Sequence, residues 1–472
     1  MVTQKQRRRL TLAATALGSA LAFIDTTIVV VALPTIQRSL HLGLQGQQWV
    51  YLGYALSLSA LYLVSGAVGD RLGLRRTFVA GALVFAASSA LCGLAPNEGV
   101  LVGARVVQGM GGALLTTNSL ALLRVVYADD AGRAIGLWTS FTSLATVIGP
   151  LAGGAIVEWV SWRWIFVLNL PLAAVTIALA LMGADDDQAR NRHAPIDVVG
   201  AMLAAGGLAA FAYALVEGAR RGFEAVWPAA LLAAVLLPAF VVWSLRARTP
   251  LVPPRLFHYR NLGAANVVTF LVYAALGGFL VFVPLYLQFL GFTPVEAGAA
   301  LAPISLVMAV LSPRFAAIAD RVGPRRLLAL GPALIAVGIA LMSRMGSQHE
   351  AWTLGVPGLA LFALGLAMFV APITATAIAS APSELAGIAS GVNQTVARVG
   401  GLVVVAVIGL VVTVVFDRST AATGQTPFDP DAVGLALRHA SVSAFRAGMA
   451  VAVMLALAGS VTAATAISDS RG

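Results

Sequence analysis

Long apolar runs are what most narrow the choice of fold for this chain. Broken at its polar positions, the sequence gives fourteen of them: 10–33, 48–69, 77–95, 99–122, 134–157, 164–183, 198–216, 226–245, 262–289, 296–319, 327–343, 353–379, 387–416 and 440–467. A helix that crosses the hydrocarbon core of a bilayer needs about 20 apolar residues, and these runs are of that order. No stretch shows the ten-residue alternation of a membrane barrel. The expected class is an all-α integral membrane protein with fourteen transmembrane helices. Run 262–289 is long enough to tilt, or to bend near Pro284. Composition agrees. Hydrophobic residues make up 59% of the chain and charged residues 11%, against about 25% charged in a soluble domain. A soluble enzyme, a nucleic-acid-binding domain and a disordered chain are all excluded.

The first run is preceded by Lys5, Arg7, Arg8 and Arg9, and Ala20-Leu21-Ala22 fits a signal-peptide cleavage rule. The run nevertheless continues to Leu33 and a second one follows closely, so an uncleaved first span is expected. The net charge of +10 bears on orientation rather than on nucleic acid. With both termini placed in the cytoplasm, inner segments hold nineteen Lys and Arg. Outer segments hold seven: Arg38, Arg163, Arg220, Arg221, Arg344, Arg418 and Arg438. That bias obeys the positive-inside rule, and the eight Trp fall near span ends, as an interfacial belt would place them. The expected location is the cytoplasmic membrane. Cys92 is alone and the five His are scattered, so no metal site, disulfide or redox motif is read.

Two segments resemble each other. Gly66-Ala67-Val68-Gly69-Asp70-Arg71-Leu72-Gly73-Leu74-Arg75-Arg76 reappears 250 residues later as Ala316-Ala317-Ile318-Ala319-Asp320-Arg321-Val322-Gly323-Pro324-Arg325-Arg326. The copies close spans 2 and 10. Two equal halves of six would put the second copy at span 8, so two extra spans lie between the halves. The layout is six, two and six: 1–183 as the first half, 184–260 as the insertion with its linkers, and 261–472 as the second half.

These features resemble the major facilitator superfamily, and within it the fourteen-span drug:proton antiporters. Gly66 to Arg76 is similar to the superfamily's cytoplasmic loop motif. Leu101-x-x-x-Arg105-x-x-Gln108-Gly109-x-Gly111 is similar to its span 4 motif. Gly149-Pro150-x-x-Gly153-Gly154 is similar to the antiporter motif of span 5, except that Ala145 stands where Gly usually opens it. Ile24-Asp25-Thr26-Thr27-Ile28-Val29 through Ala32-Leu33-Pro34 is similar to the fourteen-span motif of span 1. Trp162-Arg163-Trp164-Ile165-Phe166 with Asn169-Leu170-Pro171 is also typical of that group. The resemblance implies two pseudo-symmetric six-helix halves around a central cavity. It implies export of small lipophilic compounds, cations among them, in exchange for protons. No cofactor beyond the coupling proton is implied, the partners are the substrate and the bilayer, and no partner protein is indicated.

Asp25 is the one carboxylate deep inside a run. At mid-span such a group costs about 2.5–3.5 kcal/mol on insertion scales, so it normally faces a cavity or a partner. The functional reading is a protonation site, and the plainer one is a carboxylate satisfied by neighbouring donors. Arg105 is its expected partner. Asp25 lies eight residues below the outer end of span 1 and Arg105 six residues into span 4, which is roughly 12 and 9 Å at about 1.5 Å per residue. Snorkelling of Arg105 to the headgroups is the alternative. Asp70, Arg71, Gly73, Arg75 and Arg76, with Asp320 and Arg321 of the second copy, read as a cytoplasmic latch between conformations, or as topology-setting charge. The resemblance places Gly149, Pro150, Gly153 and Gly154 at the seam between halves; simple close packing predicts the same geometry. Trp49, Tyr54, Gln108, Trp138 and Thr142 are candidates for the cavity wall. Asn393 and Arg398 are candidates for its second half, where Arg398 reads equally as helix-packing glue. Ala275 stands 250 residues after Asp25, which puts proton handling in the first half.

Three rivals are weaker. A dedicated exporter of one metabolite, such as an antibiotic or siderophore, fits the same motifs. A membrane enzyme or sensor lacks a nucleotide loop, a metal cluster and a sizeable soluble domain. A peptide importer would carry Glu-x-x-Glu-Arg in span 1, and that signature is absent.

Overall fold

The computed structural model describes residues 3–127, 131–183, 197–248, 250, 259–380, 386–420, 426–428 and 434–468. These are helical almost throughout. The elements are α1 (Gln4–Leu40), α2 (Leu44–Leu72), α3 (Leu74–Leu94), α4 (Glu98–Val126), α5 (Ala131–Trp159), α6 (Trp164–Val167), α7 (Asn169–Gly183), α8 (Val198–Arg221), α9 (Phe223–Arg246), α10 (Arg260–Phe289), α11 (Pro294–Val322), α12 (Arg325–Ser343), α13 (Gly355–Ala379), α14 (Ala386–Thr420) and α15 (Leu435–Ala466). Each apolar run lies on a helical segment, and the sixth lies on the short α6 and the longer α7. Among the described residues twelve segments are long and apolar enough to cross a membrane; α2 and α5 are not among these.

The helices overrun their apolar cores because the termini are capped by polar groups. Thr3 and Gln6 form a reciprocal capping box on α1, with Gln6 N–H donating to Thr3 Oγ1 at 3.3 Å and Thr3 N–H to Gln6 Oε1 at 2.9 Å. At the far end of α1, His41 adopts φ 52° and its N–H closes on Gln37. Asn97 caps α4, accepting from Val100 N–H at 3.0 Å. Thr293 and Glu296 repeat the capping box on α11. The two copies of the sequence repeat adopt one turn. Gly73 (φ 101°) closes α2 with its N–H on Gly69 O at 2.9 Å, and Gly323 (φ 87°) closes α11 on Ala319 O at 3.0 Å.

The chain divides into two compact units, 1–209 with 232–251 and 210–231 with 252–472, whose boundaries fall inside α8 and α9. In the first, α1 packs on α5 and α7, α4 on α2 and α3, and α3 on α7. In the second, α10 packs on α14 and α15, α13 on α11 and α12, and α12 on α15. These five pairings correspond when α1, α2, α3, α4, α5 and α7 are replaced by α10, α11, α12, α13, α14 and α15, while the α14–α15 contact has no strong counterpart between α5 and α7 among the described residues.

Close approach rests on paired glycines. A Cβ on Gly111 of α4 would stand 2.6 Å from Phe85 N and 2.9 Å from Gly81 O of α3. In the second unit a Cβ on Gly277 of α10 would stand 2.6 Å from Gly401 Cα of α14. With little hydrophobic force between helices in lipid, such contacts supply packing instead. Leu21, Tyr54, Phe78, Phe85 and Leu115 fill the core of the first unit. In the second, Phe279 stacks on Phe362 at 4.0 Å and Tyr286 on Phe445 at 3.7 Å.

Candidate functional site

Asp25 and Arg105 meet inside the first unit. Arg105 Nη1 donates to Asp25 Oδ2 as a buried ion pair. Four helices complete the site. From α4, Gln108 Nε2 donates to Asp25 Oδ1 at 2.8 Å, while Gln108 Oε1 accepts from Arg105 Nη1 at 2.8 Å. One helical turn separates Arg105 from Gln108, so both reach the same carboxylate. From α7, Asn169 Nδ2 donates to Asp25 Oδ1 at 3.1 Å and to Ser89 Oγ at 3.0 Å. From α3, Ser89 Oγ also accepts from Gln108 Nε2 at 3.2 Å and donates to Phe166 O at 2.9 Å. From α2, Val50 O accepts from Arg105 Nε at 3.1 Å.

Aromatic rings hold the guanidinium on two sides. Its carbon lies 4.2 Å from the Tyr54 ring centre and 5.8 Å from that of Phe166. Tyr54 is fixed in turn by its hydroxyl, which donates to Ala22 O at 3.1 Å. Asp25, Ser89, Arg105, Gln108 and Asn169 each expose no more than 2% of their surface. A charge buried this deeply needs an opposite charge and further hydrogen bonds to offset its desolvation. Both Asp25 oxygens are so bonded, while Arg105 Nη2 has no hydrogen-bond partner. Asp25 and Arg105 are both closed off from the surface in this structure.

The remaining expected residues distribute as follows. Tyr54 and Gln108, candidates for a cavity wall, are instead sealed inside the Asp25 network, because the buried guanidinium needs both their π-face and their amide. Trp49 is half-buried. Trp138 Nε1 donates to Thr15 O and Ser19 Oγ of α1 at 3.3 and 3.2 Å. Thr142 is buried with its hydroxyl on Trp138 O at 3.0 Å. Asn393 is buried too, donating to Asn266 Oδ1 at 3.0 Å and Thr269 Oγ1 at 2.8 Å of α10. Arg398 is half-buried on α14. Gly149, Pro150, Gly153 and Gly154 are buried on α5. A Cβ on Gly149 would collide with Thr27 Oγ1, and one on Gly153 would lie 3.0 Å from Ile28 Cγ1. These glycines thus seat α5 on the α1 turn that follows Asp25. Gly66 faces Thr117 of α4. Arg71, Arg76 and Arg321 are exposed, Arg75 is half-buried, and the side chains of Asp70 and Asp320 lie outside those described.

Ser89 has no motif of its own, so nothing in its neighbourhood singles it out; only the fold brings α3 beside α7. Asn169 carried a usable signal. It is an amide at the start of an apolar helix, two residues before Pro171. Pro171 has no N–H to offer the carbonyl four residues back, Val167, which is where α6 stops. Among the described residues no group of three or more His, Cys, Asp or Glu side chains could hold a metal.

A polytopic helical fold built on an internal repeat, with an ion pair buried inside its first unit, is the architecture of a membrane transporter. Residues 15–405 match the Major Facilitator Superfamily, and the chain is a member of that family. It is 34% identical over 407 residues to the multidrug resistance protein Stp of Mycobacterium tuberculosis, covering 85% of this chain and 75% of that protein. It is 34% identical to the tetracenomycin C resistance and export protein of Streptomyces glaucescens, again covering 85% and 75%. To the puromycin resistance protein pur8 of Streptomyces alboniger it is 33% identical, covering 96% and 89%. The crystal structure of a bacterial homolog of the human lysosomal transporter Spinster superposes with a TM-score of 0.68 over 98% of this chain and 97% of that one, at 18% identity.

Proposed function

We propose that this protein exports small lipophilic drugs or toxic compounds across the cytoplasmic membrane by alternating access, in exchange for protons. The observation that carries the reading is the sealed Asp25–Arg105 pair in a chain whose relatives are named for drug and antibiotic resistance. Proton entry at Asp25 would discharge the carboxylate and destabilise the sealed state, and deprotonation on the other side would restore it. The chemistry needs no cofactor beyond the proton. Fourteen spans arranged six, two and six, with both termini in the cytoplasm, complete the reading. The five matched helix pairings and the matched Gly73 and Gly323 turns support a repeat of six helices in each half. Asp70 with Arg71, Arg75 and Arg76 would latch one conformation at the cytoplasmic end.

A second reading, export of a single antibiotic, is favoured by the relative whose name specifies tetracenomycin C. A growth-inhibition screen in a pump-deficient host separates the two. Protection against many unrelated compounds supports broad efflux, and protection against one supports dedicated export. The coupling itself is tested in inverted vesicles loaded by a pH gradient, with radiolabelled puromycin as probe. The wild type should accumulate the probe and lose it to a protonophore. Asp25→Asn should not accumulate it, and Asp25→Glu should retain part of the activity. Protonophore-sensitive accumulation by Asp25→Asn would overturn Asp25 as the coupling group.

A further inference from the structure

We propose that Asn169 and Ser89 are positioning residues that convert proton binding at Asp25 into release of the α6–α7 joint from α3. The proposal rests on the reading of Asp25 as the proton site. It follows from counting hydrogens and lone pairs. A hydroxyl has one hydrogen and two lone pairs, and Ser89 has all three engaged: its hydrogen on Phe166 O, its lone pairs on Gln108 Nε2 and Asn169 Nδ2. The Asp25 carboxylate faces donors only, Arg105 at Oδ2 and the two amides at Oδ1. A proton added to either oxygen therefore points an O–H at an N–H, and one neighbour has to turn.

Gln108 is held. Its Oε1 accepts from Arg105 Nη1 at 2.8 Å and faces Cys92 Sγ at 3.6 Å, so turning it would aim an amide NH2 at the guanidinium. Asn169 is not held in this way, since no described bond engages its Oδ1. Turned over, Asn169 accepts the new Asp25 O–H and presents the same oxygen to Ser89. The Ser89 hydrogen then swings from Phe166 O to Asn169 Oδ1. One proton has entered and stays on Asp25; the hydroxyl hydrogen has only rotated. The Phe166 carbonyl loses its tie to α3 at the place where Pro171 already withholds an amide from the neighbouring carbonyl. The Phe166 ring, packed beside the Arg105 guanidinium, belongs to the same joint.

Asp25→Asn makes position 25 neutral like the protonated acid and sets an NH2 donor group beside one acceptor oxygen. Amide hydrogen exchange of the full chain in lipid nanodiscs, at one fixed pH, reads the joint without any substrate. Asp25→Asn should raise exchange of the peptide spanning residues 164–170 by about fivefold or more. Ser89→Ala should raise it whichever residue stands at 25. In an Asn169→Ala background, adding Asp25→Asn should change nothing. The relay is overturned if Asp25→Asn leaves the joint at the wild-type rate, or raises it equally without Asn169. In the vesicle assay Asn169→Ala and Ser89→Ala should lose about tenfold in protonophore-sensitive puromycin accumulation while keeping downhill exchange within about twofold. Equal loss of both marks a merely structural role and overturns the proposal. Asn169→Ser, too short to span both partners, replaces Asn169→Ala should that variant fail to reach the membrane. Loss of coupling in Asp25→Asn with an unchanged joint sinks only the relay; coupling that survives Asp25→Asn sinks the proton-site reading beneath it.

Discussion

Arg105 shows how much a single side chain can be asked to hold. It pairs with Asp25, bonds Val50 O through Nε, supports Gln108 and lies against Tyr54. Removing it strands a carboxylate that exposes 2% of its surface. Breaking one partner of such a pair costs about 3–5 kcal/mol. Arg105→Ala should therefore lower thermal stability in detergent by that order, and adding Asp25→Asn should recover a large part of the loss. Strictly additive losses in the double variant would mean that the two side chains are not energetically coupled. Arg105→Lys should not substitute, because an ammonium cannot serve Val50 O and Asp25 together or present a planar face to Tyr54. Asp25 and Arg105 were readable from the sequence, since charges inside apolar runs are conspicuous. Ser89 is an ordinary polar residue there, and Asn169 is marked only as part of the Asn169-Leu170-Pro171 motif; that both join the Asp25 network depends on which helices touch.

Among the helices, small residues decide where a pair can meet. Gly149 presses on Thr27, whose hydroxyl bonds back to Phe23 O at 3.2 Å and Ile24 O at 3.0 Å within α1. Extra bulk at 149 would displace the turn of α1 that carries Asp25. Gly149→Ala should cost about 1–3 kcal/mol by overpacking, and Thr27→Ala should recover most of it by removing the struck oxygen. Thermal unfolding of the four proteins of this cycle measures the effect; no recovery would show that the α1–α5 contact is not what Gly149 serves. The α2–α3 turn has a different constraint. Gly73 sits at φ 101°, a conformation that costs a side-chain-bearing residue about 1–3 kcal/mol. Gly73→Ala should destabilise accordingly, whereas Leu72→Ala, at an exposed position, should be close to neutral. Equal effects would argue against backbone strain at this turn.

For the molecule as a whole, topology is the property on which the transport reading depends. The proposed layout, drawn from the arginine bias and the number of apolar runs, has both termini in the cytoplasm. Reporter fusions after Asp417 should read external and fusions after Arg192 internal. An internal signal from the segment following α14 would reverse the second half and with it the fourteen-span layout.

The amino-acid sequence alone determined the class of the fold, the repeat with its 250-residue offset and the identity of the buried ion pair. Each of these follows from local chemistry: apolar length, recurring glycine and arginine spacing, and charges in places where lipid does not tolerate them. Only the tertiary structure decided that Tyr54 and Gln108 close around Arg105 rather than line a cavity, that Gly149 and Gly153 seat α5 on α1, and that α3 and α7 add Ser89 and Asn169 to the site. Helical periodicity says which residues share a face, but not which face of another helix will meet it. That choice is made by glycine-sized gaps and by the need of a buried charge for an opposite charge and hydrogen-bond partners.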